Sequence, residues 1–515
     1  MASQSNFMFI DSQEDHGQNL VLRNKKQVFV MNKYYQDQKQ ASIQRLKPRS
    51  ALRGRQRIGH DAARGPFNTP TDGQEVARMK DSKDNRSQHK PEIWSLEAYL
   101  SQGFVDPLAT AAVGMTDWMN QYFHNFRLHS IIMCYPLDPM RMGAWWWQKA
   151  ITEPGLLLTI LFLSAGHKAT LEMHNGVDPQ VTQKTFRNCL RLRGRVLGTL
   201  KDLMEEPKKA VAEATTLIIA SLASGEAVSG NFEGLGIHMK GLQRLVHLLG
   251  GVEKLDHGAL GKIYECDVRN AALNNTRPTF VMSSRFRSEI LQNERFFQAR
   301  EPYSIPSRLS QLGRSFFTAP WYAQLDSSLR AYTQVLHRLI IHYEEAQLDP
   351  SVITATDNDL FLVFGHQLLS TTYVSQEDDI HEPLRLAFLI YVNIRIWHFQ
   401  GIPLTQYPAT ALQMSLEVTF GYLQVTAPDL LFWILWMGGL ASRGAKCRTW
   451  FVENLRTVAQ QLGLVHWVAA RIVLGEFFYT DQPGWQGEKV AEEELWRELV
   501  PEAQKGIHDT PVIFT

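Results

Sequence analysis

Between Asn231 and Gly251 the apolar residues Met239, Leu242, Val246 and Leu249 recur at intervals of three, four and three. That is the period of one face of an α-helix; a half-buried strand would need every second position. The run reads as one amphipathic helix stopped by the pair Gly250-Gly251. Each of the four side chains contributes roughly 1.5–3 kcal/mol if fully buried, so they read as core and not as cofactor ligands.

The same start and stop signals recur along the chain. Asp178-Pro179 supplies an N-cap and a first helical residue for a helix running to about Met204, with Arg187, Arg191 and Arg195 on one face. Glu206-Pro207 opens another, with residues 215–223 buried and Gly225 or Gly230 near its end. Residues 384–397 are apolar nearly all round, which implies burial on several sides. Pro428-Asp429 opens a densely apolar run to Gly439, in which Gly438 and Gly439, with Gly444 beyond, let a neighbour approach closely. Alternating strand patterns are scarce. The expected fold is all-α: a large irregular array of roughly a dozen helices, with no fixed repeat that would make a solenoid.

With 44% hydrophobic and 20% charged residues in 515, most of the chain can bury a sizeable core. A net charge of +1 gives no whole-chain argument for nucleic acid. Cys134, Cys189, Cys266 and Cys447 are too far apart for a zinc site and too few for a disulfide framework, so they read as reduced, mostly buried thiols. No charged-then-apolar leader opens the chain, and the apolar runs 155–165 and 430–440 fall short of the about 20 residues that cross a bilayer. A soluble chain with no membrane partner is expected.

Charge is uneven. From Arg23 to Arg57 eleven Lys and Arg residues face a single acid, Asp37. The end of this segment (Arg45, Lys47, Arg49, Arg53, Arg55, Arg57) holds helix breakers and few apolar residues. It reads as a nuclear-import signal, a phosphate-contacting arm or a solvated tail. No aromatic residue interleaves residues 45–57, which argues against stacking on single strands. Residues 58–90 are polar and aperiodic. The division expected is therefore a largely disordered arm, 1–92, and a helical domain, 93–515, ordered from near Ile93-Trp94.

Several pieces, in order, resemble the regulatory domain of fungal-specific transcription factors. They are Phe9-Ile10-Asp11, the stretch 100–107 ending in Asp106-Pro107, and the passage from Gly230-Asn231 through Lys262-Ile263-Tyr264-Glu265-Cys266-Asp267 to Arg277-Pro278-Thr279-Phe280. Leu384-Arg385-Leu386-Ala387, residues 433–439, Arg448-Thr449-Trp450-Phe451 and Glu494-Leu495-Trp496 follow. The passage from 230 to 280 is the most specific. The resemblance implies a nuclear transcriptional regulator or co-regulator, working through protein contacts and small-molecule sensing, with a secondary-metabolite pathway as its target. The binuclear zinc cluster usual in that family needs six close cysteines, and none precedes Cys134. DNA contact is then indirect or non-specific, through a DNA-binding partner or another transcription regulator; a homodimer is compatible with the reading. A cytoplasmic interaction scaffold and an enzyme are the alternatives.

Candidate chemistry is sparse. The pairs His124/His129, His238/His247 and His337/His342 lack the spacing of a His-Glu-x-x-His metal site. His342-Tyr343-Glu344-Glu345 reads as a solvated helix face. Ser224 and Ser229 stand beside glycines but in helical context, without the strand a nucleophile elbow needs. There is no phosphate-binding glycine loop, and no cofactor, metal or catalytic residue is expected. Trp145-Trp146-Trp147, with Trp94 and Trp118 upstream, fit either the lining of a small-effector pocket or a plain aromatic core.

Overall fold

The computed structural model describes residues 114–291, 305–399, 405–480 and 486–499. The basic segment 45–57, the expected start of order at Ile93-Trp94 and the stretch 100–107 lie outside them.

No strand occurs among the described residues, and the fold is all-α as expected. The chain passes through α1 (Asp117–Asn125), a π-turn (Phe126–Ser130), α2 (Ile131–Cys134), α3 (Pro139–Ala150), α4 (Pro154–His174), α5 (Pro179–Glu205), α6 (Pro207–Ala210), α7 (Glu213–Val228), α8 (Phe232–Leu248) and α9 (His257–Asn274). Next come α10 (Ser284–Leu291), α11 (Arg314–Thr318), α12 (Ser327–Leu348), α13 (Asp357–Ser370) and α14 (His381–Tyr391), which runs into a second π-turn (Val392–Ile396). The last five are α15 (Gln406–Thr426), α16 (Pro428–Ala441), α17 (Arg448–Gln461), α18 (Trp467–Glu476) and α19 (Gln486–Leu499).

Local chemistry sets the ends. Asp178 accepts the N–H of Gln180 at 2.7 Å, and proline fills the first turns of α3, α4, α5 and α16. Asn231 caps α8 by accepting from the N–H of Gly234 at 3.2 Å. At the other end Gly250 (φ 88°) and Gly251 (φ 98°) return their N–H groups to His247 and Val246, a stop that a side chain would strain. The buried stripe of α8 is Leu235, Met239, Leu242, Leu245 and Val246; Leu249 is only half-buried. The helix expected from Glu206-Pro207 is instead two. α6 is a single turn, the chain goes extended at Ala212, and Thr215 Oγ1 donates to the carbonyl of Lys209 at 2.6 Å across the break.

Two buried helices organise the packing. α4 lies against α5 and α7, and α16 is enclosed by α14, α15 and α17, with every residue from Leu430 to Ala441 buried. At 21 residues α4 is longer than the apolar run 155–165 indicated, and it is long and apolar enough to span a bilayer. Here it is a core helix, with most of its length covered. α9 joins the two parts, packing on α7 and α8 and also on α13 and α15.

A second expectation is overturned. His342, Tyr343 and Glu344 are buried, not solvated. His342 Nε2 meets Asp357 Oδ2 at 2.9 Å, Tyr343 shares a hydrogen bond with His398, and Glu344 accepts from Thr480 and pairs with Arg308. α12 is covered on more than one side, so its polar residues face partners supplied by distant parts of the chain. All four cysteines are buried and free.

Candidate ligand cavity

The three consecutive tryptophans sit on α3, and at about 100° per residue their rings must point three ways. Trp147 packs against Phe123, with ring centroids 4.8 Å apart. Trp146 donates from Nε1 to Tyr135 Oη at 2.9 Å and lies under the Lys262 ammonium. Of the three, Trp145 lines the cavity described next, and Trp146 and Trp147 are buried in the core. Trp118 stacks edge-on against Tyr122 and does not line the cavity; Trp94 lies outside the described residues.

The cavity has a volume of about 300 Å³ and lies between α3, α9 and α13, bounded also by Trp397. Two glycines of α9 shape it. The Trp145 ring rests where a Cβ on Gly258 would stand, and a Cβ on Gly261 would come within 3.3 Å of Asp359 Oδ1. Met142, Trp145, Leu362 and Trp397 give it apolar walls, and Lys262, Glu265, His257 and Asp359 supply charge.

The charged side is built on one face of α9. Lys262 Nζ meets Glu265 Oε2 at 2.7 Å, Arg269 Nη2 meets Glu265 Oε1 at 2.5 Å, and none of the three is more than 5% exposed. Lys262 also donates to Ser224 Oγ at 3.0 Å. Burial pushes the Glu265 carboxyl up, but Arg269 and Lys262 outweigh it and hold the group below its ordinary range. Burial pulls the Lys262 ammonium down, and the Glu265 charge more than reverses this. Burial, with Glu265 adding to it, raises the Cys134 thiol and raises Tyr135 well above its usual value.

His257 stands at the mouth of α9. Nδ1 meets Glu289 Oε2 at 2.6 Å, Nε2 meets Asp359 Oδ2 at 2.8 Å, and the ring stacks on Phe286. Burial lowers its pKa, but two acceptors outweigh burial and the imidazole titrates above 6.5. Asp359 moves the other way from a well-paired acid: its side chain is 16% exposed against 32% for His257, and loss of hydration exceeds what one imidazole returns. Its carboxyl is raised.

This arrangement suits binding better than catalysis. Both ring nitrogens of His257 are occupied, so neither is open to take a proton from a substrate. The thiols are raised, hence protonated and poor nucleophiles. Ser224 is buried and engaged by Lys262 and Cys266. Among the described residues no group of three His, Cys, Asp or Glu side chains converges on a metal position. The histidine pairs separate: His238 meets Glu226, His337 meets the Leu312 carbonyl, and His342 meets Asp357.

Lys262, Glu265, His257 and Asp359 were not among the sequence candidates. Lys262, Glu265 and Arg269 do carry a signal, opposite charges at helical spacing, but the same spacing marks any solvated salt-bridged face. Asp267 gives the 262–280 passage its physical meaning. Buried, it accepts the N–H groups of Thr279 and Phe280 at 2.9 and 2.8 Å, and so pins the loop after α9.

Residues 119–281 match the family model described as Fungal specific transcription factor domain, so the resemblance read from the sequence is shown over that segment. It spans α1 to α9 and contains Trp145, His257, Lys262 and Glu265 from the cavity, while Asp359, Leu362 and Trp397 come from beyond it. The domain is one of transcription regulators, typically non-catalytic, which implies transcriptional regulation and suggests a nuclear role. No curated protein and no solved structure matches this chain.

Proposed function

We propose that this protein is a nuclear transcriptional regulator or co-regulator, not an enzyme, that works through contacts with other regulators. It reaches promoters through a DNA-binding partner, and it senses a small amphipathic molecule in the cavity beside Trp145. The observation that carries the sensing role is the buried Lys262–Glu265 pair that lines the cavity, with Arg269 paired to the same carboxylate. Apolar residues of similar volume often fill such a site at equal or lower free energy, so charges placed there point to a use. A ligand would rest an apolar body on Trp145, Met142 and Leu362 and turn a polar group toward Lys262 or Asp359. Because the walls come from α3, α9 and α13, occupancy would tie α3 to α13.

The basic segment 45–57 acts as the import signal in this reading, and residues 1–92 form an arm before the helical domain. A secondary-metabolite pathway as target is the expectation from the resemblance alone. The test is transcript profiling of a deletion strain complemented with the wild type or with Trp145→Ala. The wild type should restore a defined set of transcripts. Trp145→Ala should restore import and protein level but not the effector-dependent part of that set. If no transcripts change on deletion, the reading is wrong.

A further inference from the structure

The outward face of α5 is not used by any feature described so far. Between Asp178 and Asp202 the chain carries no acid, yet it places Lys184, Arg187, Arg191, Arg193, Arg195 and Lys201 there. Thr185, Asn188, Cys189, Leu192 and Val196 are buried, and Arg193 turns to Glu226 at 2.5 Å. Lys184, Arg187, Arg191 and Arg195 are exposed and fall at i, i+3, i+7 and i+11, one row about 16 Å long. Arg195 reaches Met119 Sδ, but among the described residues no carboxylate pairs with any of the four. Beside the row stand Phe186, 45% exposed, and Leu190, 50% exposed, one turn apart. Gly194 and Gly198 continue the face with open space where side chains would be.

We propose that this face of α5 docks an acidic amphipathic helix of a partner protein. Carboxylates spaced by three or four residues would meet the basic row, and apolar residues one turn apart would cover Phe186 and Leu190. A duplex would use the cations but leave Phe186 and Leu190 wet, since phosphates offer them nothing. Unneutralised cations beside exposed apolar side chains therefore favour a protein partner. The inference rests on the surface of α5 and stands apart from the cavity and from promoter occupancy.

The test uses the full chain and a fluorescent synthetic helix with Glu at i, i+4 on one face and Leu and Phe on the other. Its comparators are the same peptide with the apolar residues changed to Ser, a DNA duplex and vesicles containing phosphatidylserine. The variants are Arg187→Glu/Arg191→Glu/Arg195→Glu and Phe186→Ser/Leu190→Ser, each checked for wild-type helicity and melting. The amphipathic peptide should bind the wild type, lose about tenfold or more in affinity on charge reversal, and also weaken in the Phe186/Leu190 variant. Peptide binding unchanged by both folded variants would overturn the proposal. So would tighter binding to duplex or vesicles that needs the arginines but not Phe186 and Leu190.

Discussion

At the residue scale, Glu265 is the most exacting position described. It holds two buried cations, and removing its charge leaves both unbalanced where neither is more than 5% exposed. Glu265→Gln should cost about 3–5 kcal/mol in urea unfolding. Replacing the group together, as Lys262→Met/Glu265→Leu/Arg269→Met, should cost about 1 kcal/mol or less, because no charge is left behind. A triple variant as unstable as the single one would mean that the group holds the fold rather than serves the cavity. His257 sets a pH dependence. Its folded pKa lies above 6.5, so its stabilisation is complete below that pH and fades as pH rises through the folded value. The raised Asp359 carboxyl subtracts stability above its ordinary range near 3.8, a constant offset across neutral pH. The melting temperature of wild type over His257→Gln should therefore be greatest below pH 6.5 and narrow above it. A difference that grows with pH would contradict the assignment.

At the element scale, Gly438 and Gly439 of α16 do admit a neighbour closely, whereas Gly444, expected to do the same, meets nothing nearer than Gln406 at 3.9 Å. A Cβ on Gly438 of α16 would overlap the ring of Phe451, which is itself fully buried. Gly438→Ala should destabilise by about 1–3 kcal/mol, whereas Gly194→Ala on the open face of α5 should stabilise by up to about 1 kcal/mol. Equal effects on thermal melting would deny that contact distinguishes them. The elements α5, α8 and α16 announce themselves by caps, stops and an apolar period. The break at Ala212 was not legible, because no proline or glycine marks it and it is fixed by a hydrogen bond from Thr215. The stretch His342-Tyr343-Glu344-Glu345 looks solvated in sequence for a related reason: its burial over the first three residues depends on Asp357, His398 and Thr480, which lie elsewhere in the chain.

At the scale of the whole molecule, α9 packs on α7 and α8 and also on α13 and α15. The matched domain ends just after it, and the cavity draws its remaining wall from α13 and Trp397. Of the cavity, only Trp145 was legible as a candidate. Charges such as Lys262, Glu265 and Asp359 have no apolar signature, and their convergence depends on contacts between residues about a hundred positions apart. The fold class was legible because periodicity is local; the site was not, because it is assembled from three helices.

The role proposed for this helical array is contact at promoters. Chromatin immunoprecipitation of the tagged wild type, beside a variant with Arg45, Lys47, Arg49, Arg53, Arg55 and Arg57 neutralised, tests it most directly. Enrichment at discrete promoters, lost when the basic segment is neutralised, is the result expected. A wild-type protein that enters nuclei yet shows no enrichment above background would contradict it.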